Sequence, residues 1–351
     1  MDASYREKIS TIKSVSNLDR KTMKGNQIME IVILDGYTLN PGDLSWEEFK
    51  KYGNLTIYDR TSYDENDIDL IIERSKEADV LLINKTPITK KIIQELPKLK
   101  YIGVLATGYD VVDIEAASER EIIVTNVPAY GTDSVAQMTL ALLLELTNHV
   151  CIHNKAVQNG EWTKNPDWSF WKKPLVELSG KTIGVIGYGR IGSAVGELAL
   201  AFGMKVLTTN KLQGNLEDKD IESVDLDELL NRSDVITLHC PLTESTRGII
   251  NKKSISKMKD GVIIINTSRG GLIVENDLAD ALKDGKVESA GLDVVSVEPI
   301  KEDNPLLAQN NCIITPHIAG MTKESRIRLI DIAIENLKQF TEGDPINRIK
   351  L

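Results

Sequence analysis

Cysteine is scarce in this chain. Cys151, Cys240 and Cys312 make an odd number with no CxxC pair among them. Neither a disulfide framework nor a thiolate metal site is expected, and a reduced cytosol is the simplest compartment. Positive charge is also in deficit: 42 Lys and Arg face 52 Asp and Glu, for a net charge of −10. Binding to a nucleic-acid backbone needs clustered cations, so it is not expected here. Apolar runs such as Val262–Ile265 and Leu140–Leu144 fall far short of the roughly 20 residues that span a bilayer. Internal repeats and low-complexity segments are absent as well. Met1–Ile28 has no apolar core of a secretory signal, only Ile9, Ile12 and Val15 in a polar stretch. It reads as a leader or tag ahead of a native start near Met29, with Asp2, Glu7 and Asp19 arguing against a transit peptide.

What is present is an ordinary globular composition, 41% hydrophobic and 27% charged, in 351 residues. That length exceeds what one core usually supports, so two domains are expected. From Met29, short β-branched runs alternate with helical spacing. Ile31–Leu34, Leu55–Tyr58, Val80–Ile83, Tyr101–Val104 and Ile122–Thr125 read as strands, with helices at Ile68–Ser75, Lys90–Leu96 and Asp113–Glu119. Alternation of this kind implies parallel strands joined by helical crossovers. Ser134–Val157 reads as one long helix crossing between domains. A second series follows, at Thr182–Ile186, Lys205–Thr209, Val235–His239, Val262–Asn266, Ser289–Leu292 and Ile313–Thr315. Helices fit at Ile191–Phe202, Leu226–Asn231, Glu275–Lys283 and Glu324–Phe340, the last with no strand left to feed and so expected back on the first half.

The first half holds no glycine-rich phosphate loop; the second does. Gly187-Tyr188-Gly189-Arg190-Ile191-Gly192 follows one strand and opens a helix, with a further strand on schedule. Gly187 permits a tight turn, Gly189 lets backbone approach a pyrophosphate, and Gly192 lets helix and strand pack. A plain turn is the alternative. The helix N-terminus at Arg190 and Ile191 offers free N–H groups to an anion. An acidic residue about 20 positions on would bind the adenosine ribose of NAD. Asn210 and Lys211 stand there instead, which tilts the reading from NAD(H) toward NADP(H). Asn210 alone on the ribose, with Lys211 a solvated charge, is the alternative.

Of four histidines, His149 and His153 sit at helical spacing, while His239 and His317 follow strand ends, where ligands gather in open α/β sheets. Two other strand ends carry Arg269, between Ser268 and Gly270, and Asp293, with Glu298 shortly after. A structural ion pair for Arg269 and an exposed loop acid for Glu298 are the bland readings.

At these positions the chain resembles the D-isomer-specific 2-hydroxyacid dehydrogenase family, from Met29 to Leu351. The resemblance rests on the Gly187–Gly192 loop, Asn266-Thr267-Ser268-Arg269-Gly270-Gly271, Gly291-Leu292-Asp293, Glu298-Pro299 and Thr315-Pro316-His317. Within the family it looks like the glycerate dehydrogenase (hydroxypyruvate reductase) branch, through Leu34–Gly42, Leu105–Tyr109, Asn126–Ala136 and Gly160-Glu161-Trp162 ahead of Trp168 and Trp171. The missing acid at Asn210 departs from the family pattern.

The resemblance implies two doubly wound domains with a cleft between them. A flavodoxin-like substrate domain would comprise 29–128 and 319–351, and a Rossmann nucleotide domain 129–318. It implies hydride transfer between NAD(P)H and a small 2-oxo or 2-hydroxy acid. Arg269 would hold the substrate carboxylate and carbonyl oxygen, and His317 would exchange a proton with the C2 oxygen. Glu298 would orient the imidazole and favour its charged form. Asp293 would meet the nicotinamide carboxamide, Cys240 and Pro241 would line the cofactor, and Thr246, Thr267 and Ser268 would stand beside it. Backbone of Ala106, Thr107 and Gly108 would receive the substrate carboxylate. Homodimers are common in the family, and Trp162, Trp168, Phe170 and Trp171 form an arm suited to an interface, with Trp168 expected to reach a partner's substrate site; capping the nucleotide domain's own core is the alternative. Hydroxypyruvate and glyoxylate are the expected substrates, with pyruvate or a phosphorylated acid as rivals. A non-catalytic nucleotide-sensing co-repressor is the reading from outside enzymology.

Overall fold

The computed structural model describes residues 28–64, 66–209 and 221–350. Residues 1–27 of the N-terminal extension and the pair Asn210 and Lys211 lie outside the described residues. The chain divides into two compact units, one running to Pro128 and resuming at Ile330, the other Ala129–Leu329.

In the first unit, β1 (Met29–Ile33), β2 (Gly53–Ile57), β3 (Val80–Ile83), β4 (Tyr101–Val104) and β5 (Ile123–Thr125) form a sheet in the order β2-β1-β3-β4-β5. Every pairing is parallel. The intervening helices are α1 (Ile68–Ser75), α2 (Lys90–Gln94) and α3 (Ile114–Glu119). Strands β3 and β4 are buried at every position, which is why they read as unbroken apolar runs rather than alternating ones. Strand order reverses between β1 and β3, and there the buried Asp35 accepts hydrogen bonds from the backbone N–H groups of Asn84 (2.7 Å), Lys85 and Thr86 (2.8 Å).

The second unit opens with α4 (Thr132–Asn148) and α5 (Val150–Gln158). The single helix expected over Ser134–Val157 is therefore two, bent by 56°, and both lie inside this unit rather than crossing out of it. The break is at His149, whose φ of 52° is left-handed and whose N–H closes α4 on Glu145 O at 2.9 Å. Among the described residues no single helix is long and apolar enough to cross a membrane; α4 and α5 meet that test only as a bent pair. Much of α4 is core, through Leu140, Leu143 and Leu146.

Its sheet comprises β6 (Thr182–Ile186), β7 (Lys205–Thr208), β8 (Ile221–Ser223), β9 (Val235–Leu238), β10 (Val262–Asn266), β11 (Val287–Leu292) and β12 (Cys312–Ile314). The order is β12-β11-β10-β9-β6-β7-β8, all parallel, with the reversal between β6 and β9. Helices α6 (Arg190–Ala201), α7 (Leu226–Arg232), α8 (Lys252–Lys257) and α9 (Glu275–Lys283) connect them. Both sheets are thus doubly wound, as expected. Strand β8 and helix α8 were not expected, although Asn251 and Ser254 form a capping box that marks the start of α8.

The last helix, α10 (Lys323–Glu342), begins in the second unit and ends in the first. Within the first unit Asn336 donates to Asn126 O at 2.9 Å, and the Phe340 ring lies 4.7 Å from that of Tyr101. This is the return to the first half that the sequence implies.

Candidate active site

At the carboxyl end of β6 the chain turns sharply through Gly187, at φ +96°. A Cβ there would lie 2.6 Å from Cys240 N, so the loop is pressed against the end of β9. Gly192 approaches closer still: its Cβ would lie 2.0 Å from Gly187 O. Gly189 is different, because a Cβ on it would meet no protein atom within 4 Å. Protein packing does not require glycine at 189, whereas a ligand seated on the loop would. Gly189 is also the N-cap of the twelve-residue α6, whose first-turn N–H groups, including those of Arg190 and Ile191, lack intrahelical acceptors. Open space beside aligned donors fits a pyrophosphate.

Three strand ends along the same sheet carry the candidate side chains Arg269, Glu298 and His317. Arg269 follows β10, held by Asn266 Nδ2 donating to its carbonyl oxygen (2.8 Å) and by its own Nη1 donating to Ser268 O (3.0 Å). Gly270 next to it packs so closely that a Cβ would fall 1.9 Å from the carbonyl carbon of Val295. The Arg269 turn is thereby seated on the segment after β11, which carries Glu298. Glu298 Oε1 accepts the Val295 N–H at 3.2 Å, and Oε2 lies 2.6 Å from His317 Nδ1. Nδ1 is then the donor, and Nε2 engages no acceptor among the described residues. Both side chains are about a third exposed, at 29% for His317 and 33% for Glu298. The pair is open enough to meet a substrate.

His317 adopts φ +55°, an unfavourable backbone for a residue with a side chain. Asp293 explains how it is held. Its carbonyl oxygen accepts the His317 N–H at 2.8 Å. Its buried carboxylate accepts from Thr315 Oγ1 (2.6 Å), Ile318 N (2.9 Å) and Ala319 N (2.7 Å). The observed work of Asp293 is to clamp the loop that carries the histidine.

His239 shares the strand-end position with His317 but not the chemistry. Its Nε2 pairs with Thr237 Oγ1 at 2.8 Å, and burial pushes the imidazole down to about 3. It stays neutral at physiological pH and is no proton donor. His149 and His153 are at the α4–α5 break; His153 Nδ1 donates to His149 O (2.7 Å) and Nε2 accepts the Lys172 N–H (3.0 Å).

Around the glycine loop, Cys240 is buried and its carbonyl accepts from Ser268 Oγ at 2.8 Å. Burial pushes its thiol up, so it lines the loop as a neutral group. Thr246 Oγ1 donates to Pro241 O at 2.7 Å and fixes that turn. Thr267 is buried and pairs with Thr139 of α4 at 3.0 Å. Thr139 carries no motif, and nothing in its sequence neighbourhood points to the site.

In the first unit, Ala106-Thr107-Gly108 follows β4. Thr107 Oγ1 donates to Val127 O (2.9 Å) and Asn126 Nδ2 to Thr107 O (2.7 Å). Neither Thr107 N nor Gly108 N donates to an acceptor among the described residues, as suits an anion-binding loop. On the second unit's surface, Trp162, Trp168 and Trp171 are 51%, 91% and 68% exposed, while Phe170 is half-buried.

Residues 140–319 match the family model for the D-isomer specific 2-hydroxyacid dehydrogenase NAD-binding domain. A hydroxypyruvate reductase of Blautia hydrogenotrophica is 56% identical over 320 residues, covering 91% of this chain and 99% of that protein. Among solved structures, an acyclic imino acid reductase in complex with NADPH and D-Arg is similar with a TM-score of 0.79 and 32% identity, over 92% of this chain and 100% of that one. A D-lactate dehydrogenase of Aquifex aeolicus complexed with NAD and lactic acid follows with a TM-score of 0.76 and 32% identity, over 90% and 96%.

Proposed function

This chain belongs to the D-isomer-specific 2-hydroxyacid dehydrogenase family, and on that footing we propose that it reduces hydroxypyruvate, and glyoxylate beside it, to D-glycerate and glycolate with NAD(P)H. The observation that carries the reading is the His317–Glu298 pair at 2.6 Å with Nε2 left open. A bound nicotinamide would supply the hydride that reaches C2. Arg269 holds the substrate carboxylate and carbonyl oxygen with a planar fork that lysine lacks. His317 Nε2 gives its proton to the C2 oxygen, and takes one back in the reverse direction. Glu298 keeps Nδ1 protonated and the ring turned, while Asp293 fixes the loop beneath it.

The 56% identity to a hydroxypyruvate reductase supports this substrate over pyruvate. Initial rates with hydroxypyruvate, glyoxylate and pyruvate, each with NADH and NADPH, test it. Hydroxypyruvate is expected to give the highest kcat/KM, and a clear preference for pyruvate would overturn the assignment. NADPH is expected to serve at least as well as NADH, because the sequence has no acidic residue at 210 or 211 to repel a 2′-phosphate. Asn210→Asp should move the preference toward NADH by about tenfold in kcat/KM. A wild type that strongly favours NADH contradicts this.

The protein is further proposed to be a cytoplasmic homodimer. Its three cysteines are all free, as suits a reducing compartment. The exposed tryptophans of the arm and Val150 of α5, 61% exposed, offer apolar surface to a second copy. Trp168 would then reach the partner's substrate site. Light scattering reports the mass, and Trp168→Ala should relax the size limit on the substrate side chain.

A further inference from the structure

Tyr130 lies in the Asn126–Ala136 segment but has no role assigned above, yet it stands close to Arg269 in the site of the second unit. It lies in the turn Ala129–Gly131 that leads into α4. Arg328 Nε donates to its carbonyl oxygen at 3.0 Å, and Ser134 Oγ of α4 donates to Ala319 O at 2.5 Å. These ties seat the turn against the loop that follows His317. The ring lies over Gly320, where a Cβ would stand 3.2 Å from the Tyr130 hydroxyl oxygen, so a side chain at 320 would crowd the phenol. The hydroxyl has no hydrogen-bond partner among the described residues. Enclosure of the phenol pushes its pKa up while the nearby Arg269 guanidinium draws it down, and the net shift is upward. The group therefore keeps its proton. The residue is only partly buried, so its hydroxyl remains available to a ligand.

The chemistry of the neighbours narrows what that ligand offers. A carboxylate and a carbonyl oxygen only accept hydrogen bonds, and the guanidinium of Arg269 only donates them. A substrate hydroxyl both donates and accepts, and so does a phenol. We infer that the Tyr130 hydroxyl is a specificity-determining group, hydrogen-bonded to the C3 hydroxyl of a 3-hydroxy-2-oxo acid whose carboxylate Arg269 holds. The inference rests on the hydroxypyruvate reading and explains it. A site built to bond a substrate hydroxyl rejects the analogue without one, because its own polar group then stays unpaired.

The experiment compares kcat/KM for hydroxypyruvate and for pyruvate, which lacks the C3 hydroxyl, in wild type, Tyr130→Phe and Gly320→Ala, all with NADPH. Tyr130→Phe should lower the hydroxypyruvate-to-pyruvate ratio by about tenfold or more. Gly320→Ala keeps the phenol but displaces it, and should lower the ratio by a smaller factor. Equal losses with both acids would make Tyr130 a carboxylate ligand or a packing residue and overturn the inference. A wild type that favours hydroxypyruvate, with a ratio unmoved by Tyr130→Phe, overturns it while sparing the substrate reading. A wild type inactive on hydroxypyruvate overturns both.

Discussion

At the strand-order reversal of the first sheet, Asp35 places its own carboxylate against the N–H groups of Asn84, Lys85 and Thr86. At the reversal of the second sheet the chain places Gly189, whose missing side chain would meet nothing within 4 Å. Both crevices lie beyond the carboxyl ends of parallel strands, where open sheets collect ligands. One is filled by a carboxyl group of the protein itself, and the other is left open. Topology alone therefore does not make a binding site; the residue set in the crevice decides. The filled crevice has its own cost, since burial pushes the Asp35 carboxyl above the usual range while three N–H donors offset part of that.

Substitutions can break this contrast or sharpen it. Gly189→Val should fill the open crevice and weaken dinucleotide binding at least about a hundredfold, roughly 2.7 kcal/mol. Folding stability should change by no more than about 1 kcal/mol, the order of an N-cap preference. Titration calorimetry beside urea unfolding reads both, and unimpaired binding would mean the loop holds no pyrophosphate. Gly187→Ala should do the opposite and act on the fold. With φ at +96° and Cys240 N 2.6 Å from the new Cβ, it should cost about 2–3 kcal/mol of stability.

Asp35→Ala empties the filled crevice and leaves buried N–H groups unpaired, for about 2 kcal/mol. Dinucleotide affinity, which belongs to the other unit, should stay within about twofold. A large loss of affinity there would show that the two crevices are not independent. His239 has no effect at neutral pH and acts only as pH falls. Its folded value of about 3 lies below the ordinary 6.5, so the fold favours the neutral ring. That stabilisation is complete above about pH 6.5 and is lost as pH falls toward 3, with a slope of up to about 1.4 kcal/mol per pH unit. His239→Gln should flatten that part of the stability profile, and unchanged slopes would mean that the ring titrates freely.

Continuous apolar runs made β3, β4, β6 and β10 legible residue for residue, because strands covered on both faces carry no competing polar pattern. Strand β8 was invisible for the opposite reason: three residues, Ile221-Glu222-Ser223, the last two exposed, show no periodicity. The break between α4 and α5 carries neither glycine nor proline, only His149 in a left-handed conformation. In the site, Arg269, Glu298 and His317 stood out through strand-end position and motif. His239 stood out equally by position, and only its surroundings set it apart. Asp35 was not legible as a crevice filler, because its partners Asn84 and Thr86 lie 49 and 51 residues along the chain. Tyr130 fell within the Asn126–Ala136 segment, but its role was not legible, because its setting is made by Arg269, Gly320 and Arg328, all far away in sequence.

The central claim is that His317, turned by Glu298, moves the proton while the glycine loop independently holds the dinucleotide. It is tested most directly by His317→Ala, with kcat on hydroxypyruvate and the Kd for NADPH measured on the same preparation. The account predicts kcat lower by about 10²–10⁴ with Kd within about twofold of wild type. A kcat near wild type, or a Kd that rises well beyond twofold, would contradict the account.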